Sequence, residues 1–175
     1  MPPARYLRKR YKQSEFGVVM SKELQALGGE LKFLYGSAVT PNSFPERKKI
    51  QKISYLLDQF GIESGRYPVI WHYEGPFSFE LHFDYYHNSS DLRSLESEAS
   101  PELFEFKRVF EGVFNDVEKL ELYASVVYLN KEYGCNFDRE RLAELMALKK
   151  PKFSRDEVLA SIEFLQAIPQ FSSHS

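Results

Sequence analysis

Along most of this 175-residue chain the apolar residues recur at intervals of three and four, and that period restricts the fold before anything else is considered. Leu24, Leu27, Leu31 and Leu34 form one series, and Ile50, Ile53, Leu57 and Phe60 a second, widened by Leu56. Leu103, Phe106, Phe110 and Phe114 make an aromatic third. A fourth, Leu120, Ala124, Val127 and Tyr128, has Leu122, Val126 and Leu129 beside it, so apolar residues surround much of that helix and predict it as the central one. Aromatic residues reach 15%, with 15 Phe and 11 Tyr, and such large side chains fill a sizeable core.

Local punctuation agrees with the period. Ser21 suits an N-cap, Pro45 and Glu46 suit a first helical turn, and Gly61 suits the position just past a helix end. Ser78 caps a helix running to about Tyr86, Ser100-Pro101 opens another, and Asp116 and Asp138 cap two more. Ser154 and Glu157 make a capping box before Val158, Ile162 and Leu165, and Pro169 ends that helix. Gly28 and Gly29 weaken the first series by about 2 kcal/mol relative to alanine and predict a kink or a close helix contact. "RYPVIWHYE" reads as a short strand with few partners. The expected fold is mostly α: a compact multi-helix domain of six or seven helices with a small β-hairpin, compatible with a winged-helix-like core. Residues 1–16 read as a basic arm, 17–168 as a single helical domain and 169–175 as a frayed tail. Residues 91–98 read as a short helix or a mobile loop.

Composition narrows function mainly by exclusion. A net charge of -2 gives no global drive toward nucleic acid or anionic membrane. No apolar run approaches ~18 residues, so no membrane span is expected. The basic start "MPPARYLRKRYKQ" lacks the apolar stretch of a secretory signal. Cys135 stands alone and cannot form an internal disulfide, which fits a reducing, cytoplasmic setting and a packed thiol. No Gly-rich phosphate loop and no Gly-x-Ser-x-Gly elbow is visible, and no cofactor is expected.

Three constellations carry chemistry. His72, Glu80, His82, Asp84 and His87 crowd one stretch, but His82 and His87 are five residues apart, ~140° around a helix, whereas helical ligand pairs sit at i and i+4. Glu80 and Asp84 have that spacing and the histidines lie on other faces, so no metal site is predicted. Glu80 is expected to favour its helix N-terminus. Arg5, Arg8, Lys9, Arg10 and Lys12 interleave with tyrosines, and Lys48, Lys49 and Lys52 add charge to what reads as the exposed side of the second helix. With Lys149, Lys150 and Lys152 these are candidate phosphate contacts, and ordinary solvated faces are the expectation. Trp71, Tyr73, Phe77 and Phe79 line either a ligand pocket or the core, and the core is the expectation.

Two segments resemble a known family. "RKKIQKISYLL" (Arg47 to Leu57) is similar to the helix of YwgA-like proteins and of the related Panacea domain of SocA-type antitoxins, and "YEGPFSFEL" (Tyr73 to Leu81) is similar to the family's Tyr-Gly-Pro-Tyr-Ser-x-Glu-Leu. Gly75, Pro76, Ser78, Glu80 and Leu81 match, Phe77 replaces another aromatic, and Glu74 departs from the usual tyrosine. "LELYASVVYL" and "KKPKFSRDEVLASIEFL" resemble the closing helices, so the likeness spans about residues 47–168. The resemblance implies a mostly helical, non-enzymatic protein-interaction module, antitoxin- or adaptor-like, with a protein partner. The alternative is a DNA-binding regulator with a basic arm. The signature residues Gln51, Lys52, Tyr55, Gly75, Pro76, Ser78 and Glu80 carry no recognised catalysis. A physical role for them is a lock in which Gln51, Lys52 or Tyr55 bonds Glu80 and holds helix to turn.

Overall fold

The computed structural model describes residues 20–63, 67–88, 95–96 and 99–172. Within them eight helices and one small sheet follow in the order α1 (Lys22–Tyr35), α2 (Phe44–Phe60), β1 (Ile70–His72), β2 (Gly75–Phe77), α3 (Phe79–His87), α4 (Pro101–Val109), α5 (Val117–Glu132), α6 (Arg139–Lys149), α7 (Arg155–Gln166) and α8 (Pro169–Ser172). The mostly helical class with a small hairpin is the one the period predicts.

Helix starts coincide with the side chains able to satisfy free amides. Ser21, Ser78, Ser100, Asp116 and Asp138 each accept a hydrogen bond from the amide three residues on. Ser43–Glu46 and Ser154–Glu157 are reciprocal capping boxes. A cap of this kind stabilises by ~1 kcal/mol. Gly28 and Gly29 are buried inside α1, which runs continuously from Lys22 to Tyr35.

α2 and α5 pack along each other through the centre, with α6 and α7 against α5, and the hairpin against both α5 and α2. Central placement explains why α2 and α5 are covered nearly all round. Residues 51–57 of α2 and 120–127 of α5 are buried without interruption. Toward the far end of α2 the core is aromatic: Phe60 meets Phe106 edge-on at 5.2 Å, Phe106 stacks on Phe110 at 4.6 Å, and Phe110 touches Tyr123, Phe164 and Phe171. Phe110 and Phe114 lie past the end of α4 yet complete its buried stripe.

Residues 169–172 depart from the frayed-tail reading. They form the turn α8, and Phe171 packs against Phe60 at 5.9 Å. The basic arm 1–16 lies outside the described residues, as does most of 91–98, where the Leu95 carbonyl accepts from Lys32 Nζ at 2.6 Å.

Among the described residues no helix is long and apolar enough to cross a membrane.

Candidate functional site

The hairpin is the irregular part of a helical protein, and the signature residues converge on it. β1 and β2 pair antiparallel, Ile70 opposite Phe77, Trp71 opposite Pro76 and His72 opposite Gly75. Tyr73 and Glu74 keep negative φ, and Gly75 makes the reversal at φ 84°, a conformation in which a Cβ is strained. Pro76 has no N–H to give, so its pair is the one without ladder bonds, and its carbonyl points outward. Lys52 Nζ from α2 donates to that carbonyl at 2.7 Å. On the other edge the Tyr128 hydroxyl meets the Trp71 backbone. Both sides of the middle pair are thus closed by helix side chains.

Two residues past Pro76, Gln51 treats the Ser78 peptide as a strand would. Its Nε2 donates to the Ser78 carbonyl at 3.0 Å and its Oε1 accepts from the Ser78 amide at 2.8 Å. The Ser78 hydroxyl meanwhile accepts from the Leu81 amide and starts α3. The lock between helix and turn therefore runs from Gln51 and Lys52 to the backbone of Ser78 and Pro76, where Glu80 was expected as the acceptor. Tyr55 faces Tyr128, with ring centroids 6.0 Å apart.

Beneath the hairpin lies a charged layer. The period of α2 places Lys48 and Lys52 on a solvated face, and the structure corrects this: they are 6% and 1% exposed. Glu121 of α5 is 0% exposed and holds three cations: Lys48, Lys150 at 2.6 Å and Lys152 at 2.7 Å. Lys48 also meets Glu74 at 2.9 Å and Glu118 at 2.8 Å, and Lys152 meets Glu118 at 2.6 Å. Lys150 donates to the Tyr73 carbonyl at the hairpin tip. Burial works against ionisation of Glu121, but hydrogen bonds from Lys150, Lys152 and Lys48 outweigh it and draw the carboxyl down to about 2. Burial likewise opposes charge on Lys48, and its contacts with Glu118, Glu121 and Glu74 hold its ammonium above the usual lysine range. Lys48, Lys150 and Lys152 are consequently engaged by carboxylates, and Lys48 cannot serve as the phosphate contact that its place in the sequence suggests. Lys49 remains partly exposed over the Tyr35 ring, and Arg5, Arg8, Lys9, Arg10 and Lys12 lie outside the described residues.

The other side of the hairpin faces outward. Ile70, His72 and Phe77 share its outer face, and Phe77 continues the surface to α3 through ring contacts with Phe79 at 5.1 Å and His82 at 5.8 Å. Phe79, His82 and Tyr86 stand at i, i+3 and i+7, on one exposed stripe of α3. The core reading of Phe79 and Tyr73 is thus overturned: they are 52% and 85% exposed. Trp71 does turn inward, 5.5 Å from Tyr128, with Lys149 and Lys150 over its ring. Asp84 is buried and accepts from the Tyr67 hydroxyl at 3.1 Å. Cys135 is buried too, and burial pushes its thiol up, away from the thiolate.

Among the described residues, clefts also lie away from the hairpin. One of about 230 Å³ is lined by Gln59, Asn130, Asn136 and Phe137 at the ends of α2 and α5, and one of about 390 Å³ by Asp116, Tyr123, Phe153 and Glu157 between α5 and α7.

Glu121 and Ser125 escaped the sequence reading. Glu121 had a signal, a carboxylate between Leu120 and Leu122 on a stretch of helix that apolar residues surround in large part, where a buried charge implies a buried partner. Ser125 had none. Its hydroxyl is fully buried without a hydrogen-bond partner among the described residues, and a Cβ on Gly75 would stand 2.6 Å from it. Compared with known proteins, the chain matches no family model, no curated protein and no solved structure.

Proposed function

We propose that this chain is a non-enzymatic protein-interaction module, of the adaptor or antitoxin kind that the YwgA-like and Panacea resemblance implies, and that it holds a protein partner on the outer face of the hairpin and α3. One observation carries the reading. Ile70, His72, Phe77, Phe79, His82 and Tyr86 form a surface of large, mostly aromatic side chains, with Ile70 48% and Tyr86 68% exposed. Aromatic residues are enriched where proteins meet, and a continuous exposed group of them marks an interaction surface more than scattered single residues do. The signature Gly75-Pro76-x-Ser78 segment, strand β2 followed by the cap of α3, then has a purpose other than catalysis, since it sets the angle between the two halves of that face. A reducing, cytoplasmic setting suits the lone buried thiol.

A photo-crosslinking residue in place of Phe79 tests this in the native host. The expected result is one discrete protein adduct that the Tyr86→Ser change abolishes, with melting temperature held near wild type because both positions are exposed. Retention of the same adduct by the variant overturns the reading. So does tight binding of duplex DNA with a steep salt dependence that vanishes when residues 1–12 are removed, the outcome required by a DNA-binding regulator.

A further inference from the structure

Three residues per strand make a hairpin that cannot hold itself in water. Its backbone is fastened to the helices at three carbonyls, Tyr73, Pro76 and Ser78, by Lys150, Lys52 and Gln51. Two of those three fasteners are buried lysines. We propose that the lysine–glutamate layer is a protonation-operated latch, in which the charge on Lys52 decides how firmly the hairpin is seated. The consequence for partner docking rests on the interaction reading above, whereas the latch belongs to the free protein and is tested there.

The geometry singles out Lys52. Four lysines meet three carboxylates in this layer. Lys48, Lys150 and Lys152 each pair with Glu121, and among the described residues Lys52 has no ion pair. Its hydrogen-bond partner is a neutral carbonyl. Around it stand Glu121 and the unpartnered Ser125 hydroxyl from α5, Lys150 from the end of α6, Lys48 one turn earlier on α2, and Glu74 from the hairpin turn. When Lys52 is neutral, three cations face three carboxylates. When it is protonated, the layer carries an unbalanced charge on its most buried lysine, 1% exposed, while Glu118 and Lys152 are open to solvent. A neutral amine still has N–H to donate to Pro76, so the bond that seats the hairpin survives loss of the proton. Water is the relief for the charged form, and water reaches Lys52 when the Pro76 carbonyl is released.

Burial draws Lys52 from 10.5 to about 7; Glu121 opposes, Lys150 and Lys48 reinforce, and Glu74 opposes. The direction of the pH dependence follows from linkage. A released Lys52 in water keeps its proton up to the ordinary value of 10.5, whereas the seated one has lost it above about 7. Between those values the released state binds more protons, so rising pH favours seating by up to tenfold per unit, and below about 7 the dependence flattens at the weakest seating.

Amide hydrogen exchange of residues 70–78, corrected for intrinsic rates, reads the latch. Wild type is expected to gain protection about tenfold from pH 6 to pH 8 and further to pH 9. Lys52→Met, never charged, and Lys52→Arg, always charged, are both expected to be flat across that range. A flat wild type overturns the latch, and so does a slope that both variants share, since it would belong to other groups. Should neither variant fold, the side-chain NMR titration of Lys52 in wild type decides: a midpoint near 7 supports the latch, and one above 9 overturns it. Because no partner enters these measurements, failure of the latch and failure of the docking reading are separate results.

Discussion

Phe106 at the centre of the aromatic layer and Glu121 at the centre of the charged layer are equally buried, at 0% exposure each, and both layers are built on α2 and α5, although the charged one opens to solvent at Glu118 and Lys152. Phe60 and Tyr123 serve the first, and Lys48 and Glu121 the second. Ring packing is non-directional and tolerates any set of side chains that fills the volume. The charged layer works only with every partner present, because a buried charge stripped of its counter-ion costs more than the pair contributed. Apolar contacts therefore supply bulk stability, and the ionic layer fixes where one irregular element sits. Phe106→Ala and Glu121→Gln break the comparison most sharply. Each is expected to cost about 3–5 kcal/mol at pH 7 in urea unfolding. They part company in acid. Glu121 has its proton affinity lowered from 4.5 to about 2, so its contribution is full above 4.5 and lost as pH falls through 2. The cost of Glu121→Gln should shrink steadily below pH 4, and that of Phe106→Ala should not.

The same contrast explains what the sequence made legible. Helix starts rest on contacts three residues apart, so Ser21, Ser78, Asp116, Asp138 and Ser154 could be read directly, and the aromatic stripe Leu103 to Phe114 needed only its period. The charged layer joins Lys48 to Glu118 across 70 positions and Lys150 to Tyr73 across 77. Nothing local announces such pairs. Lys48 and Lys52 looked solvated because periodicity grants a helix one buried face, and α2, enclosed by α5, the hairpin and α3, has buried faces nearly all round. Glu74 was visible as a departure from the motif that this segment resembles, but its pairing with Lys48 was not. The sequence reading placed the turn at Gly75-Pro76, whereas the chain turns at Tyr73-Glu74 and continues through Gly75–Phe77 as β2, and the acceptors of Gln51 and Lys52 proved to be backbone carbonyls, which sequence does not distinguish.

Two glycines sharpen the comparison at the level of single atoms. Gly61 ends α2 at φ 97° and Gly75 turns the hairpin at φ 84°, so alanine is strained at both. A Cβ on Gly61 meets nothing within 4 Å, whereas one on Gly75 meets Ser125 Oγ at 2.6 Å and Lys52 Nζ at 3.6 Å. Gly61→Ala should cost about 1 kcal/mol, the backbone term alone. Gly75→Ala should cost about 2–3 kcal/mol, because the chain must also retreat from the charged layer. Equal losses in parallel thermal melts would mean that the hairpin lies on the layer without being fixed by it.

The smallest expected effect concerns the one group in that layer with no evident job. Ser125 is 0% exposed, and its hydroxyl makes no hydrogen bond, although Lys52 and Lys150 are close by. A buried hydroxyl that has lost water and gained nothing is a liability, and deleting it removes the unmet desolvation along with a little volume. Ser125→Ala is expected to leave stability unchanged or raise it by up to ~1 kcal/mol in urea unfolding, and to soften the Gly75→Ala penalty when the two are combined. Additive effects in that double variant would place the Gly75 strain wholly in its φ. A loss above ~1 kcal/mol from Ser125→Ala alone would show the hydroxyl bonded to the Lys52 amine in solution, and Ser125 would then belong to the machinery that seats the hairpin.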